Sequence, residues 1–239
     1  MTDVSHVIKV ACVHPSYGRP RQAIDTVLKW LEQAEHAYQV EYLLCVDDND
    51  PDLQEYQALL EQAHTKQKLL LFGRFVLNVS PSRNVVQAIN AGGKLLSSTT
   101  ELIVGTADDM DSISNWDTQL LSQLIGVDNF NTPKLIGVSD GLRGYGEVMV
   151  YLIVNRAWYT RLGYLICPEY DGVFADNDMH QVALRLNALV NAPHLVFQHR
   201  HYIIGLNPMD ATYARNNNQA GWDRNHAVYQ GRAGRNFDL

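Results

Sequence analysis

The first half of the sequence alternates short apolar runs with segments whose apolar residues recur at helical spacing. Residues 7–13 are almost continuously apolar, residues 24–31 carry Ile, Val and Leu at helical spacing, and a second apolar run follows at 41–46. Short runs of this kind are typical of strands covered on both faces of a sheet. Because further runs at 68–76 and 101–106 continue the alternation, the sequence predicts an α/β fold with a mostly parallel central sheet and helices on both faces.

The second half of the sequence departs from this alternation. We predict a helix at 116–125, a strand at 135–138 and a helix after Asp176 from the spacing of their apolar residues. We interpret the apolar run at 148–154 as part of a small, partly antiparallel addition to the sheet. The chain is therefore expected to extend its parallel core with one further layer.

Composition limits the classes of function. With 239 residues, 46% of them hydrophobic, the chain can bury the core of one domain, and its net charge of -7 disfavours a polyanion as the main partner. The apolar run near the N-terminus is too short for a signal peptide or a membrane span. Cys12, Cys45 and Cys167 lack the spacing of a metal site. We therefore expect a soluble, cytoplasmic protein with reduced, buried cysteines and no membrane partner.

Clusters of aspartates directly follow two of the predicted strands. VDDND (46–50) would face the ligand crevice at the end of its strand, although a turn that begins a helix explains it equally well. In ADDMD (107–111) three carboxylates repel one another unless a cation or solvent relieves them. A divalent metal that bridges a diphosphate would provide that relief, and an exposed acidic turn before the helix at Trp116 is the alternative.

Two later segments also carry candidate functional groups. Asp176 and Asp178 lie at the start of a predicted helix, where carboxylates cap helices, but a general base for a hydroxyl group also requires such a carboxylate. His199 and His201 follow a predicted strand two positions apart, so that both would project to one side of an extended segment. They suit either metal ligation or a structural role at the surface.

Taken in order, these segments resemble the family-2-type glycosyltransferases with a GT-A fold. The matching segments are HPSYGRP (14–20) for the opening loop, VDDND for the second strand end, SRNVVQAINAG (82–92) for the ARN-type helix, ADDMD for the DXD region and FADNDMHQVALR (174–185) for the acceptor helix. Each motif is degenerate alone, but five in the right order over residues 7–186 make a specific signal. The short chain with a basic, Asn-rich tail also resembles compact glycosyltransferases from phages or bacteria.

The resemblance implies a metal-dependent, hexosyltransferase-like enzyme that uses Mn²⁺ or Mg²⁺ and a nucleoside-diphosphate sugar, a UDP-sugar by default, and inverts the sugar carbon by direct displacement. It would place donor binding on Pro15, Ser16, Tyr17, Asp48, Arg83 and Asp108, metal binding on Asp109, Asp111, His199 and His201, and the catalytic base on Asp176 or Asp178. Two departures leave the assignment of individual residues open. Thr106 and Ala107 precede the first aspartate of the DXD-like region, and the usual Glu-Asp pair of the acceptor helix is replaced by Asp-Asn-Asp.

The C-terminal segment differs in composition from the rest of the chain. From Gln198 onward it carries five arginines and three aspartates and shows no clear helical or strand period. We therefore expect a nucleotide-sugar-binding catalytic domain at 1–197 and a tail at 198–239 that serves as an active-site lid ordered by the donor.

Two other functions are compatible with these patterns. A nucleotidyltransferase on a related fold normally needs a Gly-rich loop with Lys or Arg after its first strand, whereas HPSYGRP has one Gly and no Lys. A non-catalytic nucleotide- or glycan-binding module is the second alternative. The acceptor stays open between a saccharide, a protein and a modified nucleic-acid base, for which the tail arginines would contact phosphates. A phage-encoded protein would act in the host cytoplasm.

Overall fold

The computed structural model describes residues 7, 9–125, 130–142, 148–216 and 218–239, and of Asn216 it describes the backbone alone. The strands are β1 (Val10–Ser16), β2 (Val40–Asp47), β3 (Arg74–Ser80), β4 (Leu102–Gly105), β5 (Leu135–Ser139), β6 (Ile153–Asn155) and β7 (Leu189–Val196). The helices are α1 (Pro20–Gln33), α2 (Leu53–Glu61), α3 (Ala63–Leu69), α4 (Val85–Gly93), α5 (Trp116–Ser122), α6 (Arg156–Leu162), α7 (Ala175–Arg185), α8 (Ala211–Asn216) and α9 (Gln219–Gly234).

The strands form one sheet in the order β3-β2-β1-β4-β6-β5-β7. β1 pairs in parallel with β2 and β4, β2 with β3, and β5 with β7, while β6 runs antiparallel to both of its neighbours. The predicted α/β architecture, with a mostly parallel sheet and a small antiparallel part, is therefore confirmed. Strand order reverses between β1 and β4, and in open α/β sheets ligands bind outside the carboxyl ends of the strands at such a point.

Two helices fix the loops at this point of reversal. Helix α1 begins with Pro20 and buries a stripe that includes Trp30, whose indole N–H donates to the carbonyl of Met110 at 3.0 Å. The acidic loop after β4 is thereby tied to the core. Helix α4 lies directly on the sheet at Gly92, where a Cβ atom would come within 2.7 Å of the Val13 side chain.

One predicted strand begins later than the apolar run from which it was inferred. The apolar run at 68–76 contributes its first residues to α3, so β3 begins only at Arg74. Helix α4 follows after a short loop and begins at Val85, where the Asn84 side chain caps it by accepting a hydrogen bond from Gln87 N–H at 2.9 Å.

The tail contains helices despite its lack of period. Helix α9 buries Gly221, Asn225 and Arg232, so polar side chains rather than an apolar stripe hold it against the body of the protein. A search for apolar periodicity has no signal to detect in such a helix. The three cysteines are free and buried, as expected. Of the helices that the structure describes, none combines the length and apolarity needed to cross a bilayer.

Candidate functional site

The loops that follow β1 and β2 are joined at the carboxyl edge of the sheet. Gly18 adopts a φ of 64°, and its N–H donates to the Asp50 carboxylate at 2.8 Å. Asp50 also accepts a hydrogen bond from Asp52 N–H, so it organises the turn that begins α2. Part of the VDDND cluster is therefore structural, as the turn interpretation allowed.

Asp108, the first carboxylate of the acidic loop, is held from inside the protein. Its Oδ1 lies 2.9 Å from His14 Nε2, and His14 Nδ1 lies 2.8 Å from the hydroxyl of Tyr42. His14 is fully buried, and burial raises the pKa of Tyr42, so that the phenol stays protonated. This chain of contacts fixes the acidic loop to β1 and β2.

Asp109, the second carboxylate of the acidic loop, faces polar side chains from the opening loop and from the tail. Its Oδ2 accepts a hydrogen bond from the Tyr213 hydroxyl at 2.5 Å and lies 3.4 Å from His199 Nε2 and 4.0 Å from an Arg19 nitrogen. Burial opposes its ionisation, but His199, Tyr213 and Arg19 outweigh that cost and lower the pKa of Asp109 to about 2. Asp109 is therefore ionised at neutral pH.

Asp111 points to a different environment. It lies 2.7 Å from the Lys29 ammonium and 3.3 Å from the Arg200 guanidinium, and it lines neither of the cavities that the described residues enclose near the loop. Lys29 and Arg200 therefore offset the negative charge of Asp111, which the sequence pattern suggested a metal would do. The structure does not bring Asp111 together with Asp109.

The two histidines after β7 lie next to each other although the chain bends between them. His199 forms an isolated bridge with Met110, while His201 N–H donates to the carbonyl of His199 at 2.8 Å. The segment is therefore bent rather than extended, but the two rings contact each other edge to face, with centroids 5.0 Å apart. His199 faces Asp109, whereas the His201 ring packs 5.3 Å from the Tyr213 ring and accepts a hydrogen bond from a backbone N–H.

Two cavities lie on either side of the acidic loop, and Pro15, Val85 and Ala107 line both. The small cavity, of about 140 Å³, is bordered mostly by residues with polar or charged side chains, namely Ser16, Tyr17, Asp47, Asp108, Asp109 and several residues of the tail. The large cavity, of about 410 Å³, is mainly apolar and contains His199 and Asp176. Asp109 and His199 thus stand between the two.

The predicted donor-binding residues divide into two groups. Pro15, Ser16, Tyr17 and Asp108 all line the small cavity. Asp48 and Arg83 instead pair with each other at 2.6 Å as half-exposed side chains, and neither is among the described residues that line the small cavity. The carboxylate that β2 contributes to this cavity is Asp47, one residue earlier.

The two candidate bases have different surroundings. Asp176 lines the large cavity at the first turn of α7. Asp178 is 2% exposed, accepts a hydrogen bond from Arg232 at 2.6 Å and another from the Tyr170 hydroxyl at 3.0 Å, and anchors α9 to α7. The geometry favours Asp176 as a group that can reach a ligand.

The tail covers the small cavity through helix α8 and the residues before it. Asp210 pairs with Arg19 through two hydrogen bonds of 2.7 and 2.8 Å, and the Thr212 hydroxyl donates to the carbonyl of Tyr17. Arg215 lies 3.8 Å above the Tyr17 ring and donates to Asp47 at 3.2 Å. These contacts bring residues nearly 200 positions apart into one site.

Sequence reasoning missed four members of this site, His14, Arg19, Tyr213 and Arg215. His14 and Arg19 belong to the opening loop that the resemblance singled out, so a polar loop after a buried strand was the available signal. The tail arginines were noted as a group, but nothing in their spacing distinguished Arg215 from the others.

The pair formed by Asp109 and His199 fits a divalent cation. Two ligands of an octahedral ion at bond lengths near 2.1 Å stand roughly 3 Å apart, close to the 3.4 Å between Asp109 Oδ2 and His199 Nε2. Over the described ranges of the chain, no group of three His, Cys, Asp or Glu side chains is placed to hold a metal by itself. Such a pair suits an ion that the protein holds through few side chains while phosphates and water complete the shell.

No protein-family model and no curated protein sequence matches the chain. Solved structures do match it. Residues 1–349 of TarS from S. aureus align with a TM-score of 0.59 at 14% identity, over 81% of this chain and 61% of that one. A mannosyltransferase from Pyrobaculum calidifontis, solved with GDP-Man and Mn²⁺, aligns with a TM-score of 0.56 at 13% identity, over 81% and 57%.

The catalytic domain of Drosophila β1,4-galactosyltransferase 7, solved with xylobiose, aligns with a TM-score of 0.53 at 12% identity, over 86% of this chain and 76% of that one. The chain spans only 36% of the longer TarS structure. At such identities the likeness establishes the fold. The protein has the GT-A fold, and the structures it resembles are nucleotide-sugar glycosyltransferases, some of them solved with UDP or Mn²⁺.

Proposed function

We propose that this chain is a metal-dependent glycosyltransferase that moves a sugar from a nucleoside-diphosphate sugar to a hydroxyl acceptor, with inversion at the sugar carbon. The observation that carries the proposal is the pair of cavities that share a wall and meet at Asp109 and His199. A transferase needs this arrangement, because the donor and the acceptor must approach one carbon atom from opposite sides. The GT-A fold of the chain supports the same conclusion.

The small cavity is the proposed donor site. The Tyr17 ring would stack on the nucleobase, and Asp47 would accept a hydrogen bond from the base or ribose in the role that the resemblance gave to Asp48. Burial raises the pKa of Asp47, and Arg215 and Arg83 offset part of the effect, so a base or ribose group that replaces Arg215 would have to donate the hydrogen bond that Arg215 now provides. A UDP-sugar is the first donor to test.

Asp109 and His199 would hold Mn²⁺ or Mg²⁺ at the junction of the cavities. A divalent cation held there would supply positive charge to offset the charge that develops on the diphosphate leaving group. Asp108 keeps the loop in register through His14, so it positions Asp109 rather than binding the ion. Asp111 and His201 have no assigned part in this set, because Lys29 pairs with Asp111 and His201 packs against Tyr213.

Asp176 is the proposed general base. The acceptor oxygen would bond to the anomeric carbon as the bond from that carbon to the diphosphate breaks, and the hydroxyl proton would pass to Asp176. The position of Asp176 in the first turn of α7 favours its ionised form through the helix dipole. Asp178, with its carboxylate buried against Arg232, would act only by holding α7 and α9 together.

The tail at 198–239 is the proposed lid of the catalytic domain at 1–197. The small cavity measures about 140 Å³, whereas ligand sites usually measure about 300–1,000 Å³. Helix α8 would therefore move to admit a donor and close again over it. The contacts at Asp210, Thr212 and Arg215 are those that would break in this movement.

The proposal is tested by incubating the full chain with UDP- and GDP-sugars and Mn²⁺ and measuring release of nucleoside diphosphate. We expect release from at least one donor, and its loss in Asp109→Asn. Release of pyrophosphate from a nucleoside triphosphate and a sugar phosphate would instead identify a nucleotidyltransferase. Nucleotide binding without release of any product would identify a binding module.

A further inference from the structure

The large cavity offers more space than a donor sugar requires. An apolar cavity of about 150 Å³ holds benzene, so about 410 Å³ can hold two ring-sized groups. If the proposed function is correct, one of these groups is the sugar of the donor, which would enter across the wall formed by Pro15, Val85 and Ala107. The remaining space extends toward Val173 and Trp222, and a second group must fill it.

The wall of this remaining space is apolar. The aliphatic and aromatic side chains that line the cavity include Val86, Ile89, Val150, Leu152, Ile166 and Phe174. Its polar side chains, among the residues described, are Thr106, Asp176, Asn177 and His199. A buried sugar ring carries several hydroxyl groups that each need a hydrogen-bond partner, and of these four side chains His199 is the proposed cation ligand and Asp176 the proposed base. A second polar sugar would leave hydroxyl groups unsatisfied.

Aromatic rings border the outer end of the cavity. Trp222 on α9 is 45% exposed although it is the largest type of apolar side chain, and its ring centroid lies 5.2 Å from that of Phe174. An exposed indole at the edge of a cavity provides a flat surface on which another ring can stack. Beyond it, a groove of about 390 Å³ bordered by Asn218 and Gln219 continues to the surface.

One hydroxyl group inside the cavity is ready for a ligand. The side chain of Thr106 is 3% exposed, and its Oγ1 has no hydrogen-bond partner among the described residues. Leaving a buried hydroxyl unpaired is costly, so native proteins rarely do so without a ligand or water as partner. Thr106 follows β4 directly, on the same cavity wall as Ala107.

We propose that the large cavity binds the acceptor as a flat, apolar ring that carries a hydroxyl group, stacked by Trp222 with its hydroxyl directed to Asp176. This inference rests on the proposed function, because it names the class of acceptor. It distinguishes an aromatic alcohol from the saccharide acceptor that the sequence left open.

Binding is tested first, with benzyl alcohol as the probe and glucose as the polar comparison, by saturation-transfer NMR on the full chain. We expect benzyl alcohol to bind more tightly than glucose. Trp222→Ala should weaken its binding roughly two- to tenfold, the range for loss of one aromatic contact. Val173→Phe, which narrows the cavity, should weaken it as well, whereas Gln230→Ala on an exposed position of α9 should leave it unchanged.

Three results of this binding test would overturn the inference. The first is tighter binding of glucose than of benzyl alcohol. The second is binding of benzyl alcohol by Trp222→Ala and Val173→Phe that is as tight as in the wild type. The third is displacement of benzyl alcohol by UDP with Mn²⁺, which would make the cavity part of the nucleotide site.

Transfer is measured separately with the donors that release nucleoside diphosphate. Benzyl alcohol should raise the release rate several-fold and become glycosylated, and Trp222→Ala should remove that increase while slow hydrolysis of the donor persists. A release rate that does not change when benzyl alcohol is bound, with no glycosylated product, would overturn the acceptor assignment. Absence of release from every donor, with the binding result intact, would instead reject the proposed function.

Discussion

The two cavities beside the acidic loop differ in size and in the charged side chains that line them. The small cavity is lined by carboxylates and arginines and is covered by the tail, while the large cavity is about three times as big and, in its described lining, carries only Asp176 and His199 as ionisable side chains and no residue of α8. The charged side chains of the small cavity suit a nucleotide, and the large cavity suits groups that lose little by leaving water. The difference implies that binding of the donor and binding of the acceptor can be perturbed separately.

Replacing the proposed base should give the largest effect, and it should affect the transfer step at the large cavity without affecting donor binding in the small one. We expect Asp176→Asn to slow transfer by roughly 10²- to 10⁴-fold, because an amide cannot accept the hydroxyl proton, while binding of nucleoside diphosphate with Mn²⁺ stays unchanged. Steady-state transfer rates and calorimetric titration measure the two quantities. Equal transfer by wild type and variant would remove Asp176 from the reaction.

Asp178→Asn is the matched control for that substitution. It should destabilise the protein by about 1.5–3 kcal/mol in chemical denaturation, because it removes the buried carboxylate that faces Arg232, while Glu169 and Asp238 still pair with that guanidinium. Any molecules that remain folded should transfer at the normal rate. A folded Asp178→Asn variant that loses transfer selectively would make Asp178 the base.

The histidine pair tests the junction between the cavities. His199→Ala should raise the Mn²⁺ concentration needed for nucleotide binding by at least about tenfold, because it removes one of two proposed ligands, whereas His201→Ala should change it little. The measurement is nucleotide affinity as a function of Mn²⁺. If His201→Ala has the larger effect, the cation lies nearer Tyr213 than the geometry indicates.

The arginine that covers the small cavity tests the proposed lid. Arg215→Ala should speed hydrogen exchange in residues 211–216 roughly three- to thirtyfold, since it removes a cation–π contact and an ion pair of about 1 kcal/mol each. It should also tighten nucleotide binding by a similar factor, because opening costs less. Arg224→Ala, whose partner Asp171 lies outside the small cavity, is the control. Unchanged exchange in Arg215→Ala would mean that α8 is a fixed part of the fold.

The smallest effect is expected on the free energy of unfolding when the pH is lowered. The Asp210 pKa is lowered because hydrogen bonds from Arg19 and Tyr213 outweigh the cost of burial. Since an aspartate with a lowered folded-state pKa stabilises fully above its unfolded pKa near 3.9, its contribution should fade as pH falls from that value through the lower pKa of the folded state. For this partly exposed pair we expect less than about 1 kcal/mol. Denaturation of wild type and Asp210→Asn between pH 6 and pH 3 should converge at the acid end, and parallel curves would contradict the role of the pair.

Sequence patterns predicted the strands of the core and the loops that follow them, because buried strands and strand-end carboxylates leave local signals. They did not predict which carboxylates are paired. Asp111 and Asp178 look like Asp109 and Asp176 in sequence, but Lys29 and Arg232 reach them from distant elements. Which aspartate meets a protein cation and which faces a cavity depends on tertiary packing.

The tail illustrates the same limit. Helix α9 buries polar side chains, so its sequence has no apolar stripe, and Arg215 reaches Asp47 across 168 positions of the chain. Such contacts leave no periodic signal. The opening loop was recognisable because it follows a buried strand directly.

The central claim is that a nucleoside diphosphate binds in the small cavity through a divalent cation held by Asp109 and His199. Thermal denaturation with UDP or GDP, each with and without Mn²⁺, tests it most directly, because a ligand of the folded state raises its stability by RT ln(1 + [L]/Kd), about 2.7 kcal/mol at 100 times Kd. The account predicts that one nucleotide stabilises the wild type only together with Mn²⁺. It also predicts that Asp109→Asn abolishes this stabilisation, while the free variant still unfolds in a measurable thermal transition. Equal stabilisation of Asp109→Asn, or stabilisation by neither nucleotide, would contradict it.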